Sequence, residues 1–166
     1  MATNYERAFE PHPAVYDAWR QLIGAVGSAM PQRRYELATL AAAVALRSSY
    51  CCLAHGRLMV EQLGEPVADI VHDRYSAGLS DEDVAVMELA EQVVRDATGV
   101  TPAHRSRLVE LGLSDHDVDM VVLAAAARSF FSKSLDGLGA LPDPEYATLD
   151  PALRDALTVG RPIAES

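Results

Sequence analysis

Between Pro13 and Leu135 the apolar residues recur at helical spacing, and no stretch of the 166 residues shows the alternation of β-branched and polar residues that a strand requires. Ala and Leu fill most of the apolar positions, and both are strong helix formers. The expected fold is therefore all-α, a bundle of about six to eight helices. A chain of this length buries roughly 68–70% of its unfolded surface, enough for a full core without disulfides or metals.

Punctuation in the sequence places the helices. Pro13 sits in the favoured first turn of a helix running to about Ala29, and Pro31 closes it. A second helix is expected from Arg33 to Leu46, and its stretch from Leu37 is apolar nearly all round, so it should be buried. Ser48 and Ser49 offer N-caps for a third helix, from Tyr50 to Leu63, which Gly64 ends. Pro66 opens a shorter helix to about Ser76. Leu79-Ser80-Asp81-Glu82-Asp83 combines a capping serine with acids that favour the helix dipole, so a fifth helix should start there and reach Asp96. Thr101-Pro102 starts a sixth that stops at Gly112, and Ser114 caps a seventh from Asp115 to Leu135. The chain reads as one domain, with a core of about 13–146. Residues 147–166 read as a surface arm carrying one short helical piece near Pro151 to Leu157.

Charge narrows the function. Fourteen Lys and Arg against 24 Asp and Glu give a net charge of −10, and no basic cluster exceeds Arg33-Arg34. Nucleic acid and anionic membrane surfaces are poor partners for such a chain. The sixth and seventh helices have helix-turn-helix spacing, but the second of them opens Asp115-His116-Asp117, which repels phosphate. No apolar run reaches the ~20 residues a membrane span needs. The first ten residues carry no apolar signal segment, so a cytoplasmic location is expected.

Two cysteines, Cys51 and Cys52, are adjacent and cannot staple distant segments. Cys51 and His55 are four residues apart on the third helix and share a face. Cys51 also falls in the first turn, and a helix N-terminus and a neighbouring imidazole are environments that favour a reactive thiolate. Ser48, three residues earlier, has a hydroxyl able to approach the same sulfur. Glu36 lies on the buried preceding helix and needs a partner, which an imidazole across the helix pair would supply. A small core hydrophobe and a structural histidine remain the alternative for Cys51 and His55.

Glu36, eleven residues, Ser48-Ser49-Tyr50-Cys51, three residues and His55 resemble the signature of the AhpD-like, carboxymuconolactone decarboxylase superfamily. That signature is a Glu, eleven residues, a Cys-x-x-Cys and a His four positions on. Residues 31–36 are similar to the family's usual entry into the Glu helix, and the Leu79–Asp83 segment and the long helix with Ser129-Phe130-Phe131 resemble its peroxidase-related branch. The resemblance implies an all-helical homo-oligomer (dimer, trimer or hexamer) acting as a peroxidase-type oxidoreductase. In that scheme Cys51 attacks a small-molecule hydroperoxide, His55 and Glu36 relay protons, and an external thiol is the reductant. It implies no cofactor and no metal. The departure is Ser48, which stands where the family has its first cysteine. A serine keeps a hydrogen bond to a thiolate but cannot resolve a sulfenic acid as a disulfide. Cys52 is expected to be a core residue, because a vicinal bridge is strained.

Two other readings stay open. The decarboxylase branch acts on lactone acids by acid–base chemistry, which Glu36 and His55 could serve without the thiol. A non-catalytic oligomeric member is the other. His12, His72, His104 and His116 are expected to be solvated. Tyr5, Phe9, Tyr16 and Trp19 read as a core stripe, with subunit contacts as the alternative.

Overall fold

The computed structural model describes residues 2–165 and is built from helices, with no strand among them. The α-helices are α1 (Asn4–Phe9), α2 (Pro13–Ser28), α3 (Gln32–Ala45), α4 (Ser49–Leu58), α5 (Val67–Asp73), α6 (Asp81–Asp96), α7 (Pro102–Glu110), α8 (Asp115–Gly137) and α9 (Pro151–Leu157). α4 runs on through one π turn, Met59–Leu63, and stops at Gly64, whose φ of 68° is the left-handed conformation that glycine adopts without strain. The expected all-α bundle is the observed one.

α3 is the centre of the molecule. Every residue from Glu36 to Ala43 is buried, and four of these eight are alanines. Small side chains all round let neighbouring helices approach closely, so α6 and α8 pack on α3 from two sides and α4 lies along a third. Arg33 and Arg34 fix the start of α3. Arg33 pairs with Glu65 and Asp83, and Arg34 pairs with Glu82 and Asp117. Asp83 and Asp117 also close the capping boxes of α6 and α8. The acids at the start of α8 are thus engaged in a cap and in ion pairs.

The sequence reading omitted α1. Thr3 and Glu6 form a capping box that starts it. The aromatic stripe is core in part: Phe9 is buried, while Tyr5, Tyr16 and Trp19 are half-buried against the core. α2 buries only Val26, and its Val15 and Leu22 remain exposed beside Phe130 of α8.

The C-terminal segment is tied down more firmly than a surface arm. Leu153 and Leu157 of α9 are buried against α4 and α5, the Gly160 amide donates to Ser49 Oγ at 2.8 Å, and the Ala164 amide donates to the Pro142 carbonyl at 2.9 Å. Gly56 makes the α4–α9 approach possible. A Cβ there would overlap Leu157 Cδ1 and sit 3.3 Å from Val67 Cγ1. Gly56→Ala gains helix propensity of about 1 kcal/mol but overpacks the joint by ~1–3 kcal/mol, so its melting temperature should fall by a few degrees. Leu157→Ala alone should cost ~2–5 kcal/mol. In the double variant the new methyl enters vacated space, so the combined loss should be smaller than the sum by ~1 kcal/mol or more. Strict additivity in denaturant unfolding would contradict this packing.

Candidate active site

Cys51 lies in the first turn of α4 and is only 2% exposed, on the wall of a cavity of about 210 Å³. His55, one turn on, opens onto the same cavity. Much of the remaining lining is aromatic, from Tyr5, Trp19, Tyr50 and Phe131, and Arg128 of α8 joins it beside Tyr35 of α3.

Three of the four residues expected from the sequence meet here. His55 Nδ1 is 2.6 Å from Glu36 Oε2, and the pair is largely buried, at 16% and 5% exposure. The carboxylate lies behind the ring, on the fully buried face of α3. Ser48 does not join them. It is buried at the N-cap of α4, but its hydroxyl makes no capping bond, is not hydrogen-bonded to the sulfur and does not line the cavity. The expected approach of Ser48 to the sulfur is corrected: the hydroxyl beside Cys51 is that of Ser132 on α8, which donates to Sγ at 3.2 Å. The reason is geometric. α8 crosses the start of α4 and presents Ser132 and Arg128, one turn apart, to the sulfur.

Arg128 was not singled out from the sequence, and it dominates the site. It is 3% exposed, donates from Nη1 to Cys51 Sγ at 3.6 Å and from Nη2 to the Tyr35 hydroxyl at 3.4 Å, and leaves its buried Nε without a partner. No carboxylate bonds it among the described residues. Burial pulls its pKa down, and the Cys51 sulfur and Tyr35 hydroxyl more than offset that. A signal was present in the sequence. Val121, Ala124, Ala125, Arg128, Ser132 and Leu135 form one stripe at helical spacing, and all are buried.

Electrostatics favour the neutral form of the histidine. Burial, and then the Arg128 charge, push His55 below the ordinary imidazole value, against the opposing pull of Glu36. A neutral ring whose Nδ1–H donates to Glu36 leaves Nε2 as a free acceptor. Cys52 behaves as the core residue expected: it is fully buried, and burial pushes its thiol up, away from reactivity. Burial and then the Asp143 carboxylate push the Tyr50 phenol up, so it remains a donor to Asp143 while accepting from the Tyr5 amide at 3.3 Å. The Asn4 amide also donates to Asp143, at 2.7 Å, and these bonds fold α1 across the aromatic side of the cavity.

The remaining histidines lie elsewhere. His12, His72 and His116 are exposed, and His104 is half-buried, closing the cap of α7 with Thr101. No group of three metal-ligating side chains occurs among the described residues, and none of their helices is long and apolar enough to cross a membrane.

No protein-family model matches the sequence, and no curated protein matches it. Solved structures do. An uncharacterized peroxidase-related protein from Ralstonia eutropha JMP134, described as an alkylhydroperoxidase AhpD core, superposes with a TM-score of 0.81 at 18% identity, over 88% of this chain and 80% of that one. A second uncharacterized peroxidase-related protein, from Silicibacter sp. TM1040, gives 0.72 at 18% identity, over 80% and 72%. A protein of unknown function from Agrobacterium tumefaciens, provisionally assigned as the antioxidant-defence protein AhpD, gives 0.71 at 18% identity, over 81% and 94%. The chain has the AhpD-like fold.

Proposed function

We propose that the protein is a thiol-dependent hydroperoxide reductase of the AhpD type, with Cys51 as the nucleophile. The observation that carries this reading is the sulfur itself: it lines a cavity open to the outside, and a buried guanidinium and a hydroxyl both donate to it. Such donors stabilise an anion at Sγ. The neutral His55, oriented by Glu36, takes the thiol proton on Nε2. The thiolate then attacks the distal oxygen of the hydroperoxide. An S–O bond forms as the O–O bond breaks, the sulfur loses two electrons to become a sulfenic acid, and His55 returns the proton to the departing alkoxide. With Ser48 in place of a second thiol, resolution falls to an external thiol. It attacks the sulfenic sulfur and expels water, and a second equivalent releases Cys51 and leaves as the oxidised disulfide.

A homo-oligomer is part of the same reading, supported by the exposed apolar patch of Val15 and Leu22 on α2 with Phe130 on α8. The His55–Glu36 pair also favours a second reading, acid–base decarboxylation of a lactone acid, because it forms without the sulfur. Turnover of a γ-lactone carboxylate by a Cys51→Ala variant would select that reading.

Trapping tests the first. After a mild hydroperoxide dose, dimedone should add once, at Cys51, and leave Cys52 unmodified. Absence of the adduct on the folded protein would remove the peroxidase reading. The state of His55 has its own test. Its lowered pKa means that the unfolded chain binds a proton there that the folded chain refuses, in the window below the ordinary value of 6.5. Stability from the neutral ring is therefore full above 6.5 and declines as pH falls through that window. From about pH 7.5 to about pH 5.5 the melting temperature of the wild type should fall more steeply than that of His55→Gln. Parallel profiles would show that His55 is not held neutral.

A further inference from the structure

Arg128 is a cation with a donor to spare. The side chain is buried, its Nε is unpartnered, and its only bonded neighbours among the described residues are two groups that are neutral when protonated, the Cys51 thiol and the Tyr35 phenol. A guanidinium removed from water needs a counter-charge, and an unmade bond to a charged donor is costly. The cysteine can supply that charge only as a thiolate, and only until it is oxidised or alkylated. Yet Arg128 lines the open cavity, within reach of whatever enters it.

We infer that the cavity binds a small, flat monocarboxylate, with the carboxylate on Arg128 and the ring or apolar body against Tyr5, Trp19 and Phe131. The size fits: a cavity of about 150 Å³ is known to hold benzene, and this one, at about 210 Å³, has room for a ring and one carboxylate. The shape fits as well. Trp19 stacks on Phe131 at 3.8 Å and 10°, and the Arg128 guanidinium lies 5.8 Å from the Phe131 ring, so the aromatic side of the cavity and the charge adjoin. One guanidinium with no second cation on the cavity wall matches a single negative charge. A phosphate dianion would go under-compensated in a chain of net charge −10. The inference rests on the proposed function only in taking this cavity as the substrate site, and it makes the substrate a hydroperoxide that carries a carboxylate.

Trp19 is the sole tryptophan and lies on the cavity wall, so its fluorescence reports occupancy directly. Benzoate, titrated into the full-length protein, should quench or shift that emission saturably and should slow iodoacetamide alkylation of Cys51. Benzamide, nearly isosteric and neutral, should bind at least tenfold more weakly. Arg128→Met should lose benzoate affinity by tenfold or more while keeping its affinity for benzamide. Equal affinities of the wild type for benzoate and benzamide would overturn the inference, and so would undiminished benzoate binding by folded Arg128→Met. The wild-type comparison decides the matter even where the variant fails to fold. Dimedone trapping stands apart from these readouts. A protein that binds benzoate through Arg128 but never forms a sulfenic acid keeps the anion site and loses the peroxidase reading. One that forms the sulfenic acid and ignores benzoate does the reverse.

Discussion

A buried guanidinium without a carboxylate is the constraint around which the site is organised. Arg128 has given up its hydration, and among the described residues the only atoms that answer it are a sulfur and a phenol oxygen. In a low-dielectric interior that leaves strong pressure for negative charge to gather in the cavity. The charge reaches beyond the sulfur. It helps to keep His55 neutral, which leaves an imidazole able to accept a proton instead of one already carrying it. Glu36 pulls in the opposite direction while fixing the ring through Nδ1. Cation and carboxylate are kept apart, one on α8 and one on α3, with Tyr35 between the guanidinium and the imidazole.

The scaffold explains how those groups come to face one another. α3 is alanine-rich through its buried middle, so α4 and α8 both lie close against it. One helix then supplies Glu36 and Tyr35, a second supplies Cys51 and His55, and a third supplies Arg128 and Ser132. The arginines at the start of α3 pin it to the capped ends of α6 and α8. Helix-borne side chains on a close-packed frame hold their geometry better than loop residues do. The wall that closes the cavity is of another kind: α1 and α2 contribute aromatic faces, and α2 buries a single residue in the core.

Helix order was legible in the sequence because proline, glycine and capping residues mark nearly every boundary. Ser80 and Ser114 cap where their patterns say they should, and Gly64 stops its helix as expected. α1 was missed although Thr3 and Glu6 carry the same box, because six residues are too few for an apolar period to register. The Glu36–His55 pairing was legible from spacing across one helix pair. The role of Ser132 and Arg128 was not, since it depends on where α8 crosses α4, more than seventy residues away along the chain. Spacing within one helix also misdirected the reading of Ser48, which shares a turn with Cys51 yet makes no bond to it.

Arg128 donates to the Cys51 sulfur, and the rate of Cys51 alkylation tests most directly whether that contact governs the sulfur's reactivity. Iodoacetamide should modify Cys51 of the wild type at neutral pH at least about tenfold faster than it modifies Arg128→Met, because the variant lacks the cationic donor that lies 3.6 Å from Sγ. Circular dichroism confirms that both proteins are folded. Equal rates, or a faster reaction in the variant, would contradict that dependence and leave Arg128 without a chemical role at the sulfur.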